Sequence, residues 1–417
     1  MFVRLALAAV VALAAGAASA GEALPTTAVT LDKKGLNFAT SDGAYTFHFG
    51  GRIHADGSWH VGDPGPGRGA TDGTEIRRGR IDANGRVRDE WAWWAEVDFA
   101  DNATAIKDMW VAYDGLEGVR ITAGHQKQPY SLAVEMSSND IAFTERSIDN
   151  ELVIPFVDRA LGLRVDASGE HWFAAAGFFG ESIGPNKSGR DEGYGGVGRL
   201  VLAPIHDDSH VVHLGFRGAW RAQPENDRMI QIRDETTHAS NLYVLDTDDI
   251  LGTRDVALYG PEVGVTLGPV TLLGEYNRAH VHRRGAPDLE FQSGHASASV
   301  VLTGETLAKS YRLTSGEYKR LVPDHPFSLR NGGCGAWEVA ARYAYLDVTD
   351  ADVRGGREQA LTADVNWYLN ENVRMLFGWT YVVDTDRARG LPASSATVAG
   401  VDAEHMSIFT VRSQIVF

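Results

Sequence analysis

The sequence predicts an all-β fold, a transmembrane barrel of about 16 antiparallel strands with inward-folded loops. Three observations indicate this fold. Apolar and polar residues alternate along most segments after residue 44, short connections alternate with long ones, and large aromatic residues lie on the apolar faces.

The alternation has a period of two, which is the side-chain period of a β-strand. In the last segment Arg412 and Gln414 lie on one face. The apolar residues of that segment share the other face; they are Phe409, Val411, Ile415 and Phe417. The same criterion predicts strands at 45–60, 74–87, 91–101, 106–114, 118–125, 160–168, 171–180, 193–204, 209–222, 254–268, 270–283, 289–303, 336–348, 356–370, 372–385 and 405–417.

The connections between these strands alternate in length. Short turns are predicted at 88–90, 114–118, 167–170, 268–270 and 370–372, and long loops at 61–73, 126–159, 181–192, 223–253 and 386–404. Short turns at one end and long loops at the other are typical of outer-membrane barrels. The segment 304–335 is long but falls on the short-turn side, and we expect it to fold into the lumen because its charges need a wet interior.

Aromatic residues favour a membrane barrel over a soluble β-sandwich or propeller. The apolar faces carry Trp91, Trp93, Trp220, Trp337, Trp367, Trp379, Tyr343, Tyr345 and Tyr381, which suit the interfacial girdle of a barrel. In a sandwich, Arg52, Arg217, Arg374 and Asp364 would be buried charges, whereas in a wide barrel they face water.

The beginning of the chain predicts export. Residues 1–20 combine a charged start at Arg4, an apolar stretch and the small residues Ala18-Ser19-Ala20, as in a cleaved signal peptide. We therefore expect residues 21–44 to be an N-terminal periplasmic segment and residues 45–417 to form an outer-membrane β-barrel. The net charge of -16 argues against nucleic acid as a partner, and 1 Cys excludes a disulfide within the chain.

Arginines dominate the polar faces of the predicted strands. They are Arg52, Arg78, Arg80, Arg164, Arg217, Arg221, Arg342, Arg374 and Arg412. Guanidinium groups suit phosphate and similar oxyanions, so a row of them predicts a pore for small anions. Alternatively, these arginines pair with lumen carboxylates and hold the wall. The available carboxylates are Asp56, Glu96, Asp98, Asp108, Glu338 and Asp364.

The run EIRRGR at 75–80 breaks the alternation. Period two places Arg78 and Arg80 inside and Arg77 on the lipid face, where an arginine costs about 2–4 kcal/mol at mid-membrane depth. We therefore expect either a bulge that turns Arg77 inward or a position near the rim.

No catalytic or metal-binding motif stands out. His206, Asp207, Asp208, His210 and His213 surround a predicted turn, where solvated polar residues are the default. His280 and His282 share a strand face but lack a third ligand nearby. We therefore expect no enzyme activity, no cofactor and no metal.

Several stretches together resemble the phosphate-selective porin O/P family of Gram-negative outer membranes. Among them are GGRIHAD (50–56), IRRGR (76–80), WVAYDGL (110–116), ITAGHQKQPYSL (121–132), SSNDIAFTERS (137–147) and GAWEVAARYAYLDV (335–348). The resemblance covers nearly the whole chain after the leader, and the terminal Phe417 is similar to the aromatic end of such barrels. It implies a homotrimer of barrels in outer-membrane lipid, each with its own constricted pore.

The resemblance also implies site residues. Arg52, Arg77, Arg78 and Arg146 match basic residues of the family's pore, Asp108 matches its constriction carboxylate, and Arg233 falls where further arginines are brought inward. The sequence also departs from the best-studied members. Arg80 and Lys127 occupy positions that hold tyrosines there, so we add both to the predicted anion-binding residues, and Glu135 falls where a lysine is expected. The implied function is passive uptake of phosphate or polyphosphate. The alternatives are a general diffusion porin and a structural or adhesive barrel.

Overall fold

The computed structural model describes residues 27–32, 35–62, 71–181, 183, 191–223, 230–235, 237–238, 243–386 and 406–417. The predicted signal peptide and nearly all of the predicted loop 386–404 lie outside these residues. In chain order the strands are β1 (Thr27–Asp32), β2 (Gly35–Thr40), β3 (Tyr45–Val61), β4 (Gly73–Val87), β5 (Trp91–Asp98), β6 (Ala105–Leu116), β7 (Val119–Lys127), β8 (Arg159–Ser168), β9 (Trp172–Phe179), β10 (Tyr194–His206), β11 (His210–Ala222), β12 (Arg233–Glu235), β13 (Tyr243–Asp246), β14 (Thr253–Leu267), β15 (Val270–Arg283), β16 (Leu289–Val301), β17 (Tyr311–Arg312), β18 (Glu317–Tyr318), β19 (Ala336–Asp350), β20 (Val353–Tyr368), β21 (Val373–Asp386) and β22 (Ser407–Val416).

Sixteen of these strands form a closed antiparallel barrel. Each barrel strand pairs with the next along the chain, and β22 pairs with β3, from Ser407 opposite Val61 to Val416 opposite Arg52. All 16 predicted strands are present, so the predicted fold class is confirmed. The strands β12–β13 and β17–β18 form two small separate hairpins.

A hairpin that the sequence did not predict precedes the barrel. β1 pairs with β2, and β2 extends the ladder along the first residues of β3, with Leu36 opposite Phe49. It lies within 21–44, the segment expected to be periplasmic, and at the barrel end that carries the short turns.

The outward face is apolar, as the alternation predicted. Trp220, Phe377 and Trp379 are exposed on the outside rather than packed in a common core. Had the strands formed a sandwich, these three side chains would have been buried together. The exposed ring instead offers a hydrocarbon-compatible surface to lipid.

Helix is limited to short pieces in the described residues. α1 (Leu132–Glu135) and α2 (Ile154–Val157) lie between β7 and β8, with 3₁₀ turns at Ala100–Asn102, Ile148–Leu152 and Leu307–Ser310. Ser131 begins α1, and its side chain accepts a hydrogen bond from the Val134 N–H. No helix in the described part of the chain is long and apolar enough to cross a bilayer.

The connection 128–158, called the inner loop below, fills one side of the lumen. Its side chains Tyr130, Leu152 and Phe156 are buried against the inward faces of β14–β16, in the same apolar cluster as Val281 and Phe291. The interior is therefore dry on this side. The open space lies on the other side, between the inner loop and the wall formed by β3–β7.

The long segment between β16 and β19 enters the lumen, which confirms the prediction for 304–335. Tyr318 is buried, and its hydroxyl accepts a hydrogen bond from Thr266 of the wall. Arg199 of β10 donates to the carbonyls of Ser315 and Gly316 at the tip of the β17–β18 hairpin. The segment thus narrows the barrel from the end that carries the short turns.

Candidate functional site

Three adjoining cavities lie along the open side of the lumen. A cavity of about 1010 Å³ at the short-turn end, the vestibule, shares Trp94, Trp110 and Lys319 with a middle cavity of about 660 Å³, the constriction. The constriction shares Arg77 and Arg146 with an outer cavity of about 440 Å³ on the long-loop side. The shared lining residues place the three cavities one after another along the barrel.

The constriction brings together most of the residues that the sequence singled out. Nine basic side chains line it: Arg52, Arg77, Arg78, Arg80, Lys107, Lys127, Arg146, Arg159 and Lys319. Six carboxylates line it as well: Glu96, Asp98, Asp101, Asp108, Glu135 and Asp158. Six of the seven predicted basic residues and the predicted carboxylate therefore meet in one cavity, with an excess of positive charge.

A β-bulge explains how two consecutive arginines both face the lumen. The register of β3 and β4 shifts between His54 and Ala55, which pair with Arg78 and Ile76 and leave Arg77 unopposed. The extra residue turns inward, while Ile76 remains exposed outside. Of the two expectations for Arg77, the bulge is confirmed.

Four of the predicted arginines, Arg52, Arg77, Arg78 and Arg80, are fixed by carboxylates. Arg52 and Arg80 both bind Glu96, and Arg80 also donates to Asp98 at 2.7 Å. Arg78 donates to both oxygens of Glu145, at 3.2 and 3.1 Å. These pairs hold the guanidinium groups in place but neutralise part of their charge.

Glu145 of the inner loop is the centre of an arginine cluster. Arg77 and Arg412 donate to the same carboxylate that Arg78 binds, at 3.0 and 2.6 Å. Burial alone would raise the pKa of Glu145, but Arg78, Arg412 and Arg77 hold that pKa well below its usual value. The cluster is positive because three guanidinium groups surround one carboxylate there, and Arg412 is shared with Asp56.

Lys127 and Arg146 have a different environment. Lys127 Nζ donates to the carbonyls of Glu135 and Met136, at 2.9 and 3.2 Å, and Arg146 donates to those of Ala133 and Met136, at 2.9 and 2.7 Å. Within the described residues, neither cation has a carboxylate at ion-pair distance. Because both reach the same Met136 oxygen, their charges lie within roughly 6 Å and repel by about 3 kcal/mol at an effective dielectric constant of ~20.

Asp108 lies in the constriction but is bound by a residue that the sequence reasoning missed. Arg159, the first residue of β8, donates to Asp108 Oδ2 through Nε at 3.1 Å and Nη2 at 2.8 Å. Asp108 therefore orients Arg159 rather than the predicted arginines. Lys107 was also missed, because a register shift between Glu96 and Val97 turns it inward and hides it from a strict period of two.

Arg233 lies outside the constriction. It lines the outer cavity, where its guanidinium carbon is 4.5 Å from the ring centre of Tyr243. Seven carboxylates and four arginines line that cavity; the carboxylates are Asp56, Glu75, Glu145, Glu151, Asp234, Glu235 and Asp364. The outer cavity thus differs in charge from the constriction.

Several wall arginines hold the inner loop, and of those named here Arg342 alone also lines one of the three cavities, the outer one. Arg374 donates to the carbonyls of Asn139 and Ile141, Arg412 to that of Thr144, and Arg342 to that of Glu145. Arg217 is buried and donates to Glu275 at 3.1 Å. Of the two interpretations of the polar-face arginines, structural pairing thus describes these residues.

The histidines noted in the sequence do not converge. His213 is buried between Tyr311 and Glu262, whereas His210 is exposed beside Asp207. One other group, Glu75, Asp101 and His238, places its donor atoms within 4.8 Å of one another. There the hydrogen bond to Glu75 raises the pKa of His238, so the group is accounted for as an ion pair.

Comparison with known proteins identifies the family. Residues 47–417 match the family described as phosphate-selective porin O and P. The chain belongs to this family. The fold and the family are those of an outer-membrane porin. The family match confirms the resemblance inferred from the motifs.

Relatives and solved structures agree with the assignment. The porin is 29% identical over 383 residues to an uncharacterized protein of Caulobacter vibrioides, covering 87% of this chain and 74% of the relative. It is 22% identical to Porin O of Pseudomonas aeruginosa, covering 82% and 84%. Among structures, an anion-selective porin from Comamonas acidovorans superposes with a TM-score of 0.57 at 13% identity, covering 89% of this chain and 100% of that one. A trimer form of OmpT from Vibrio cholerae gives 0.54 at 13% identity, covering 90% and 100%.

Proposed function

We propose that this porin is an anion-selective channel for passive uptake of phosphate or polyphosphate across the outer membrane. One observation carries the proposal: Lys127 and Arg146 share the Met136 carbonyl and have no carboxylate partner among the described residues. Two adjacent cations without a counter-charge attract an anion, and their remaining N–H groups can bind its oxygens.

The surroundings of the pair support passage rather than permanent binding. Arg52, Arg78 and Arg80 extend the positive potential along the wall, while Glu96 and Glu145 moderate it. Conduction needs sites that bind an ion favourably but release it to the next site. Cations moderated by neighbouring carboxylates meet both demands.

The names of similar proteins are consistent with this proposal. Porin O belongs to the same family, and the Comamonas structure is described as an anion-selective porin. By analogy with the trimer form of the Vibrio structure, we expect three copies of this chain in the membrane. We also propose that residues 1–20 are a cleaved signal peptide and that 21–44 face the periplasm.

The acidic outer cavity favours a second candidate, a general diffusion porin with weak selectivity. An anion that enters from the long-loop side meets seven carboxylates and four arginines before it reaches the constriction. Such a sequence of charges would slow anions relative to a uniformly basic path.

Planar-bilayer recording distinguishes the two candidates. Across a KCl gradient, the zero-current potential of the purified porin should have the sign of chloride preference, and added phosphate should reduce the chloride current. Cation preference would contradict the proposal outright. Anion preference without inhibition by phosphate would reduce it to a general anion pore.

A further inference from the structure

Two tryptophans face the lumen beside the constriction. Trp94 of β5 and Trp110 of β6 lie directly opposite each other in the ladder, with ring centres 6.3 Å apart and planes inclined by 19°. Both are partly exposed, and both line the constriction and the vestibule. Their neighbours Trp91 and Trp93 belong to the outward face, where a lipid girdle explains them.

The structure gives the inward pair no packing role. Neither Trp94 nor Trp110 belongs to the buried apolar clusters of the described residues. Each therefore presents aromatic surface to a water-filled path, where covering apolar area is favourable by roughly 25 cal/mol per Å². Because the two planes are nearly parallel and adjacent, they form one aromatic surface on the wall.

Charged groups lie at both ends of this surface. Two residues further along the same strands, about 7 Å away, Glu96 holds Arg52 and Arg80, and Asp108 holds Arg159. On the vestibule side, the Arg120 guanidinium carbon lies 4.9 Å from the ring centre of Trp110. An anion held by the basic groups can therefore place an attached ring on the tryptophans.

We infer that the Trp94–Trp110 pair binds the ring of a small aryl phosphate whose phosphate group is held by the basic side chains of the constriction. This inference rests on the proposed anion passage and deepens it by naming a substrate class. Inorganic phosphate reaches only the charged part of the site. An aryl phosphate contacts both parts, because its phosphate group binds the charged residues and its ring contacts the tryptophans. Aromatic rings in offset-stacked or edge-to-face contact add to the free energy of binding beyond the burial of apolar surface.

The test compares three anions on the intact porin in planar bilayers. Inorganic phosphate, isopropyl phosphate and phenyl phosphate are titrated against the chloride current, and the half-inhibiting concentrations are measured. We expect phenyl phosphate to inhibit at a concentration about two- to twelvefold lower than isopropyl phosphate. Equal inhibition by the two esters in the unmutated porin would overturn the inference without any variant.

A variant pair locates the effect. Trp94→Leu with Trp110→Leu should abolish the preference for the phenyl ester over the isopropyl ester. The matched control is Trp91→Leu, which removes an outward tryptophan of the same strand that lines none of the three cavities, and it should keep the preference. A preference that survives in the double variant would assign the ring to another surface.

The measurements with the three anions separate this inference from the proposed function. Failure of inorganic phosphate to inhibit, together with cation preference, would refute the anion channel and with it the inference. Inhibition by inorganic phosphate without a difference between the esters would leave the channel intact and refute the aromatic platform alone.

Discussion

Removing the two unpaired cations of the constriction tests the proposed function directly. We consider Lys127→Gln combined with Arg146→Gln. Glutamine keeps an N–H donor for the Met136 carbonyl but carries no charge. The double variant therefore removes two positive charges from a cavity with nine basic and six acidic side chains, which leaves seven basic side chains against six acidic ones.

The expected size of the effect follows from the strength of charged hydrogen bonds. One such bond contributes about 1.5–3 kcal/mol, so each substitution should raise the half-inhibiting phosphate concentration by at least about tenfold. The two cations share an acceptor, so their effects couple and the double variant is expected to fall short of full additivity. Its zero-current potential should shift towards cation preference.

Two controls accompany the measurement. Lys127→Arg keeps the charge and should retain phosphate inhibition within a fewfold range. Arg312→Gln removes an arginine that also donates to backbone carbonyls, those of Lys309 and Tyr311, but lies outside the three cavities. If the double variant responds to phosphate like the unmutated porin, or if Arg312→Gln shifts the response equally, Lys127 and Arg146 are not the selective groups.

Three further predictions concern the wall and the loops. Arg217→Met leaves the buried Glu275 without its partner, so the free energy of unfolding in urea should fall by about 3–5 kcal/mol. Gly124→Ala should also destabilise the barrel, by about 1–3 kcal/mol, because Gly124 has φ +135 and its Cβ would lie 2.4 Å from a backbone oxygen. Burial, together with the neighbouring Glu358 carboxyl, raises the pKa of Asp234 well above its usual value. The docked β12–β13 hairpin therefore binds a proton, and its docking weakens as the pH rises through that raised pKa. Asp234→Asn should make protease cleavage of this hairpin less dependent on pH.

Each of these has an outcome that contradicts it. Arg278→Met replaces an exposed arginine and should leave the free energy of unfolding unchanged. A loss as large as that of Arg217→Met would show that burial of the ion pair does not explain the effect. An unaltered unfolding curve for Gly124→Ala would show that the strand relaxes around the methyl group. Cleavage that increases at low pH instead of high pH would reverse the sign assigned to Asp234.

The strands could be predicted because lipid imposes the alternation. Residues such as Phe377 and Phe409 must face hydrocarbon, so a period of two persists wherever a strand crosses the membrane. The bulges could not be located from the period. Lys107 faces the lumen only because an extra residue shifts the register, and that shift depends on the neighbouring strand.

The inward face was less predictable, because the inner loop and not water covers much of it. Val281 and Phe291 face inward and are buried under the inner loop, and no local sequence pattern predicts this burial. The role of each arginine was equally hidden. Arg374 and Arg78 both fall on the polar face of an alternating strand. Arg374 nevertheless donates to carbonyls of the inner loop, whereas Arg78 lines the constriction, because residues distant in sequence determine which partner each arginine meets.

The unequal charges of the two mouths have a consequence for the direction of current. An anion that approaches from the vestibule passes four basic and three acidic side chains, whereas one from the outer cavity passes four basic and seven acidic ones. The energy profile along the pore is therefore lopsided, and reversing the applied voltage should change the size of the current as well as its sign. The porin would then rectify, and raising the ionic strength should remove the rectification, because the Debye length shrinks from about 10 Å at 0.1 M to about 3 Å at 1 M.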